Sequence, residues 1–206
     1  MSNVILLGVC GRKRHGKDTV GRSLRRQFDM TPIAFADPLK RIAMDIYGLS
    51  YDQCYGDDLK EVIDPRWGVT PRHIMQQIGT EMGRTIHPET WVRYCLRTIE
   101  EAAAGKQPLI HIADMRKFEL AKEDFVNVQR WVVTDVRFPN EAEAIRSKGG
   151  KVIKVVRSEF LKRATDMHAS ETSIDEINPD FLVLNDSSIE DLDNRVLDIG
   201  RTLALP

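Results

Sequence analysis

The sequence has few cysteines and no long apolar run, and each shortage excludes a class of protein. The three cysteines, Cys10, Cys54 and Cys95, form no CxxC pair, which argues against a disulfide framework or a zinc site and indicates reduced thiols. No segment approaches the roughly 18 apolar residues of a membrane span. The short apolar run near the N-terminus precedes its basic residues, the reverse of a secretory signal, so we expect a cytoplasmic protein without a membrane partner.

Net charge is also nearly absent. Lys and Arg number 30 against 31 Asp and Glu, giving a formal net charge of -1, and this balance removes the simplest case for a nucleic-acid partner. Apolar residues make up 42% of the 206-residue chain, and no low-complexity tract is present, so disorder is not expected. The length predicts a single domain over residues 1–206 that folds without disulfides or a structural metal.

Short apolar runs alternate with segments of helical spacing. The run VILLGV at 4–9 is typical of a strand buried on both faces. Further strands are predicted at 32–36, 130–135, 151–156 and 181–184, with one more at 109–113. Helices are predicted at 17–28, 37–47 (with Asp37 as N-cap), 71–83, after 88, at 139–148 and at 187–203. This alternation predicts an α/β fold with a mostly parallel sheet flanked by helices.

The segment GRKRHGKDT, Gly11–Thr19, joins the first strand to the first helix. Glycines in such a loop let backbone N–H groups surround a phosphate, and the helix N-terminus adds partial positive charge. Lys17 is then placed to reach β- and γ-phosphate oxygens. The alternative is a basic surface turn, but a chance match between a buried strand and an amphipathic helix is rare. The pattern therefore predicts a phosphate-binding loop (P-loop).

This loop departs from the usual ending GK[ST], because Asp18 follows Lys17 and Thr19 comes one position late. The hydroxyl usually found there ligates Mg²⁺, and a carboxylate is a hard oxygen ligand that can do the same. We therefore expect Mg²⁺ at Asp18 and Thr19. The basic residues 12–14 either offset the added negative charge or form a solvated loop, and the sequence leaves both readings open.

The other predicted strands also end in polar or charged residues. Ligands of open α/β sheets bind outside the carboxyl ends of the strands, so these residues are candidates for one site. They are Asp37, Lys40, Asp135, Arg137, Arg157 and Asn185. Purely structural roles are the alternative for three of them, since Asp37 can cap a helix, Asn185 can form a turn, and Asp135 can orient Arg137. Together the cations and carboxylates suit anionic substrates with a divalent metal.

Five blocks resemble, in order and over nearly the whole chain, the bacteriophage deoxynucleoside monophosphate kinases. They are GRKRHGKDT, FADPLK, QQIGTEMGR, VVTDVRFPNEAEAIRSKGG and LVLNDSSIEDL; residues 106–128 match no block. The GKD ending is a feature of that family and of the related phosphomevalonate kinases. The resemblance implies a three-layer P-loop NTPase fold with a nucleoside monophosphate kinase-like core, an acceptor-binding helical region (37–105) and a lid (158–175) that closes over ATP.

Motifs and resemblance together assign the site residues. ATP and Mg²⁺ are expected at Gly11, Arg14, His15, Gly16, Lys17, Asp18, Thr19, Arg157, Arg163 and Asn185. The acceptor monophosphate is expected at Asp37, Lys40, Arg72, Arg84, Trp91 and Arg137. Lys17, Asp135 and Arg137 are the expected catalytic residues, with Arg137 clamping a phosphate.

The resemblance implies transfer of the ATP γ-phosphoryl group to a deoxynucleoside 5′-monophosphate, in the host cytoplasm if the protein is phage-encoded. The sequence leaves open whether the chain forms a homodimer. Another small phosphorylated acceptor, such as phosphomevalonate or dephospho-coenzyme A, is the alternative, and a nucleotide-binding switch is less favoured because no NKxD motif occurs. A nucleobase needs aromatic and amide side chains around it. Tyr51, Tyr55, Trp67, Gln76, Gln77 and Trp91 supply such groups.

Overall fold

A five-stranded sheet with the order β2-β3-β1-β4-β5 forms the centre of the molecule. The computed structural model describes residues 4–106, 129–161 and 173–205. The strands are β1 (Ile5–Cys10), β2 (Thr31–Ile33), β3 (Arg130–Val136), β4 (Lys151–Val156) and β5 (Phe181–Leu184). All four pairings between neighbours are parallel. The predicted α/β class with a parallel sheet is confirmed.

Helices cover both faces of the sheet, which makes three layers. Those that the structure describes are α1 (Lys17–Phe28), α2 (Asp37–Tyr47), α3 (Tyr51–Tyr55), α4 (Pro71–Gln76), α5 (Thr90–Ala103), α6 (Pro139–Ser147), α7 (Ser158–Leu161) and α8 (Ile189–Thr202). None of the described helices is long and apolar enough to cross a membrane.

Strand β1 lies between the two halves of the core. Leu7 and Val9 belong to the cluster under α1 and α8, whereas Leu6 and Cys10 belong to the cluster under α2, α5 and α6. A strand that buries both faces must be apolar at every position, which explains the continuous run in the sequence. The predicted P-loop therefore leaves the middle of the sheet, between β3 and β4.

Two differences from the sequence prediction have a clear structural cause. Strand β2 ends at Ile33, because the backbone N–H groups of Phe35 and Ala36 donate to the Asp135 carboxylate instead of to a neighbouring strand. Helix α2 has Ala36, not Asp37, as its N-cap. The Asp37 carboxylate accepts the backbone N–H of Ala34 at 2.8 Å, so the predicted capping role of Asp37 was wrong.

The helix predicted from Pro71 begins there, with the Thr70 hydroxyl accepting the backbone N–H of His73. After Gln76 it widens into a π-helical segment, Gln77–Arg84. Trp91 packs against this segment, and its indole N–H donates to the Gly79 carbonyl at 2.8 Å. A Cβ at Gly83 would lie 2.3 Å from the Trp91 ring. Glycine is needed there because the ring occupies the place of a side chain.

Parts of three predictions lie outside the described residues. These are the strand at 109–113, Arg163, and most of the lid, of which 158–161 and 173–175 are described. The division of the chain into acceptor region and lid stays a prediction.

A substitution at Gly200 of α8 tests the packing of α8 against α1. A Cβ at Gly200 would lie 1.9 Å from the ring of Phe28 on α1, so Gly200→Ala forces the helices apart. We expect the free energy of unfolding in urea to fall by about 1–3 kcal/mol. Asn194→Ala, at an exposed position of α8, is the control and should change it by less than about 0.5 kcal/mol. Equal stability of the two variants would contradict this packing.

Candidate active site

The P-loop owes its shape to glycines at positions where a side chain cannot fit. Gly11 and Gly16 have φ values of 151° and 100°, which favour glycine. A Cβ at Gly11 would lie 2.5 Å from the Val155 carbonyl oxygen, and one at Gly16 would lie 2.3 Å from the Asn185 amide nitrogen. The loop is therefore pressed against the ends of β4 and β5.

Lys17 closes the loop on itself. Its ammonium donates to the Arg12 carbonyl at 2.9 Å, while Lys17 is also the first residue of α1. Asp18 and Thr19 follow in the first turn of that helix, and both line the cavity above the loop. The lysine and two oxygen-bearing side chains thus surround the helix N-terminus, as a phosphate and its metal require.

His15 and Asn185 support the loop from below. The His15 side chain is 2% exposed, does not line the cavity, and places Nδ1 3.3 Å from the Val155 carbonyl oxygen. The Asn185 amide donates to the His15 carbonyl at 3.0 Å. The His15 imidazole is thus buried behind the loop, and the expectation that His15 binds the cofactor stays a prediction. Asn185 both braces the loop and lines the cavity.

A cavity of about 820 Å³ extends from the P-loop to the helices of the 37–105 region. Most residues predicted for the site lie along it. They are Arg14, Gly16, Lys17, Asp18, Thr19, Lys40, Arg72, Arg84, Trp91, Asp135, Arg137, Arg157 and Asn185. Gly11, His15 and Asp37 are not among the lining residues. They lie behind the cavity wall, next to Val155, Asn185 and Lys40 respectively.

The walls of the cavity are strongly cationic. Nine lining residues are Lys or Arg and four are Asp or Glu, whereas the whole chain carries a formal charge of -1. Positive charge is therefore concentrated at this one place. Such a cleft attracts polyanions, and its size is that of a small-molecule site.

Asp135 links the end of β3 to the segment that leads into the acceptor-binding region. Its two carboxylate oxygens accept the backbone N–H groups of Phe35 and Ala36 at 2.7 and 2.9 Å. These bonds tie the end of β3 to the turn before α2. The predicted catalytic role of Asp135 is untested, but its position at the rim of the cavity is now explained.

Asp37 orients Lys40. Asp37 Oδ1 lies 3.7 Å from the Lys40 ammonium and 3.5 Å from the Tyr55 hydroxyl. The ammonium also lies 4.0 Å from the centroid of the Tyr55 ring. Since Lys40 and Tyr55 line the cavity, Asp37 is expected to act through them.

Glu61 pairs with two cations of the site and was missed by the sequence analysis. Its carboxylate contacts the Arg72 guanidinium and lies 3.5 Å from the Lys13 ammonium of the P-loop. Partial burial acts to raise the pKa of Glu61, but Arg72 and Lys13 outweigh it and lower the pKa. Glu61 stands in an irregular polar stretch, and nothing in its spacing indicates these partners.

Glu141 was also missed, and it organises the loop between β3 and α6. Its carboxylate accepts the backbone N–H groups of Arg137 at 2.7 Å and Phe138 at 3.1 Å. The same carboxylate pairs with the Arg84 guanidinium, which lies 3.7 Å from the centroid of the Phe138 ring. Glu141 thus joins the π-helical segment to the loop that carries Arg137.

Burial raises the pKa of Glu141 to about 7, although Arg84 and the two backbone N–H groups act to lower it. Arg84, predicted to bind the acceptor phosphate, lines the cavity with its guanidinium paired to the Glu141 carboxyl. One signal in the sequence could have indicated Glu141, namely its place three residues into the helix that begins at Pro139, where a carboxylate caps the preceding N–H groups.

The side chains present fit a magnesium ion held jointly with phosphates. Among the described residues, no group of three or more His, Cys, Asp and Glu could hold a metal on its own. Asp18 and Thr19 provide two oxygens, and Mg²⁺ in such sites takes few protein ligands and completes its shell with phosphates and water. The Thr134 hydroxyl is buried at the same cavity and has no hydrogen-bond partner within the described part of the chain.

A glycine-rich loop at the central strand of a parallel sheet, facing a cationic cavity, is the arrangement of the P-loop nucleotide-binding proteins. The family model described as deoxynucleotide monophosphate kinase matches residues 117–196. A protein of Acanthamoeba polyphaga mimivirus assigned as a deoxynucleotide monophosphate kinase is 30% identical over 200 residues, 94% of this chain and 95% of that protein. The chain therefore belongs to the deoxynucleotide monophosphate kinase family, as its sequence blocks indicated.

Two further likenesses are partial or distant. The deoxynucleotide monophosphate kinase of Escherichia phage RB69 is 31% identical over 105 residues, which are 48% of this chain and 42% of that enzyme. Dephospho-CoA kinase from Campylobacter jejuni aligns over 96% of both chains with 16% identity and a TM-score of 0.42.

The Glu141 carboxyl should make stability depend on pH. Its pKa is about 7 in the folded chain against an ordinary value of 4.5. The folded state therefore binds this proton more tightly, and the contribution to stability is complete below pH 4.5 and lost as the pH rises through 7. The loss amounts to about 3 kcal/mol.

Glu141→Gln removes this titration, because the amide stays neutral at every pH. We expect the free energy of unfolding of the unmodified chain to decline relative to the variant between pH 5 and pH 8, as measured in urea. Parallel pH profiles of the two proteins would show that Glu141 has an ordinary pKa.

Proposed function

We propose that this protein transfers the γ-phosphoryl group of ATP to a deoxynucleoside 5′-monophosphate and releases ADP and the deoxynucleoside diphosphate. The observation that carries the proposal is a continuous cationic cavity, which joins the P-loop to the 37–105 region. Two phosphorylated ligands must meet in line for this transfer, and a continuous cavity with cations at both ends provides for that. Membership of the deoxynucleotide monophosphate kinase family supports the choice of acceptor.

The P-loop is the proposed ATP side. Backbone N–H groups of the loop and the N-terminus of α1 receive the β- and γ-phosphates. Lys17 exchanges its bond to the Arg12 carbonyl for phosphate oxygens and neutralises charge on the transferring group. Mg²⁺, held by Asp18, Thr19 and the phosphates, supplies further neutralisation of the β- and γ-oxygens. Arg14 and Arg157 border this end.

The acceptor side is proposed to use Lys40, Arg72 and Arg137, which line the cavity and lie outside the P-loop. An oxygen of the acceptor phosphate forms the new bond to the γ-phosphorus as the bond to the β–γ bridging oxygen breaks. A phosphate oxygen is already a good nucleophile, so positioning and charge neutralisation suffice and no strong general base is needed. Asp135 contributes by fixing the turn that leads into α2.

The segment 158–175, with Arg157 at its border and Arg163 within it, is the proposed lid. Closure over ATP would exclude water from the transferring group and so suppress hydrolysis.

Lys17→Ala tests the P-loop assignment. Loss of a charge that stabilises the transition state should lower kcat at least 100-fold, measured by coupled ADP release with Mg-ATP and deoxynucleoside monophosphates. Arg22→Ala, exposed on the same helix, serves as control and should keep normal turnover. A nearly normal rate in the lysine variant would refute the assignment.

Arg137→Ala tests the acceptor side. Because Arg137 lines the cavity beyond the P-loop, we expect KM for the deoxynucleoside monophosphate to rise about 10-fold or more, with KM for ATP little changed. The reverse pattern, weaker ATP binding with an unaltered acceptor KM, would place Arg137 on the ATP side.

A panel of dAMP, dGMP, dCMP, dTMP and the corresponding ribonucleotides tests the function as a whole. Turnover on one or more deoxynucleotides is the expected result. No turnover on any of them, with ATP still bound, would refute the nucleotide acceptor and favour another phosphorylated acceptor.

A further inference from the structure

The wall of the cavity formed by α4 and the π-helical segment carries several polar side chains, and most already have a partner. Arg72 pairs with Glu61, Arg84 pairs with Glu141, and the Trp91 indole N–H donates to the Gly79 carbonyl. These contacts fix the positions of the three side chains in the wall.

Gln76 and Thr80 differ from their neighbours on this wall. Both line the cavity, both are half-buried, and neither side chain makes a hydrogen bond to any residue that the structure describes. They stand four residues apart, which places them on the same face of a helix. Half-buried donors and acceptors without a protein partner are groups that a ligand can satisfy.

The surroundings of these two side chains suit a flat heteroaromatic ring. Met75 and Gly79 line the same wall, and a Cβ at Gly79 would lie 3.1 Å from the Leu39 side chain. The patch of wall formed by these three residues is therefore apolar, and no side chain projects from it at Gly79. An apolar surface beside a few polar groups is how proteins recognise an unpaired base, stacking on its face and bonding to its edge.

We propose that the Gln76 side-chain amide reads the hydrogen-bonding edge of the acceptor base, with Thr80 beside it. This inference rests on the proposed function and adds its specificity-determining residue. The amide offers one donor group and one acceptor side by side. Since no bond to the described part of the chain fixes its orientation, it can rotate and match either order of donor and acceptor.

That rotation has a consequence for substrate choice. Adenine and cytosine present an amino donor next to a ring-nitrogen acceptor, whereas guanine and thymine present a carbonyl acceptor next to a ring N–H donor. A rotating amide pairs with both patterns, so Gln76 allows more than one base. A carboxylate at this position only accepts hydrogen bonds, and it would favour guanine, which offers two adjacent donors, over adenine.

Gln77 was also among the side chains that the sequence offered for a nucleobase, but the structure places it outside the cavity, so it provides a matched control. It has the same side chain one position later, but it is exposed and does not line the cavity. The experiment compares kcat/KM for dAMP, dGMP, dCMP and dTMP in the unmodified chain and in Gln76→Leu, Gln76→Glu, Gln77→Leu and Gln77→Glu. KM for ATP and the thermal unfolding midpoint are measured for each protein.

We expect Gln76→Leu to lower kcat/KM for every accepted deoxynucleotide about 10- to 100-fold, the usual effect of losing one bidentate amide–base contact. Gln76→Glu should raise the ratio of dGMP to dAMP turnover at least 10-fold. KM for ATP should stay within about twofold, and both Gln77 variants should behave as the unmodified chain does.

Two results would overturn the inference while leaving the proposed function intact. One is that the Gln76 variants match the Gln77 variants; the other is that Gln76→Glu lowers kcat/KM for all four deoxynucleotides equally. Absence of turnover in the unmodified chain with any nucleotide would overturn the proposed function itself, and the inference with it.

Discussion

The parallel pairing of β1 with β3 and β4 is the constraint on which the rest of the structure depends. Parallel strands place their carboxyl ends at the same edge of the sheet, so the segments that follow them meet there. The P-loop follows β1, the Asp135 carboxylate stands near the end of β3, and Arg157 follows β4. Because β1 is buried on both faces, this arrangement cannot shift without breaking both halves of the core.

The site is built from paired charges more than from isolated cations. Glu61 lies against Arg72 and Lys13, and Glu141 lies against Arg84. Each carboxylate keeps a cation at the cavity in a fixed direction at little cost in repulsion between neighbours. An entering phosphate then competes with a carboxylate for each of these paired cations.

Features encoded locally could be predicted from the sequence. The strand and helix periods, the glycines of the P-loop and the helix that begins at Pro71 depend on residues close together in the chain, and the structure places them as expected. The roles of Glu61, Glu141 and His15 depend on partners far along the chain. Arg84 and Glu141 are 57 positions apart, and one sequence gives no means of pairing them. The π-helical segment was not predicted either; it packs against the ring of Trp91, which lies 12 positions after Gly79.

The bond from the Asn185 amide to the His15 carbonyl spans 170 positions. A ribosome delivers the P-loop well before it delivers Asn185. Contacts of such separation close late, because the loop between them must first be brought together. The nascent chain therefore carries a P-loop sequence long before it carries the brace that sets the final shape of the loop, so the loop can take up that shape only after Asn185 has been made.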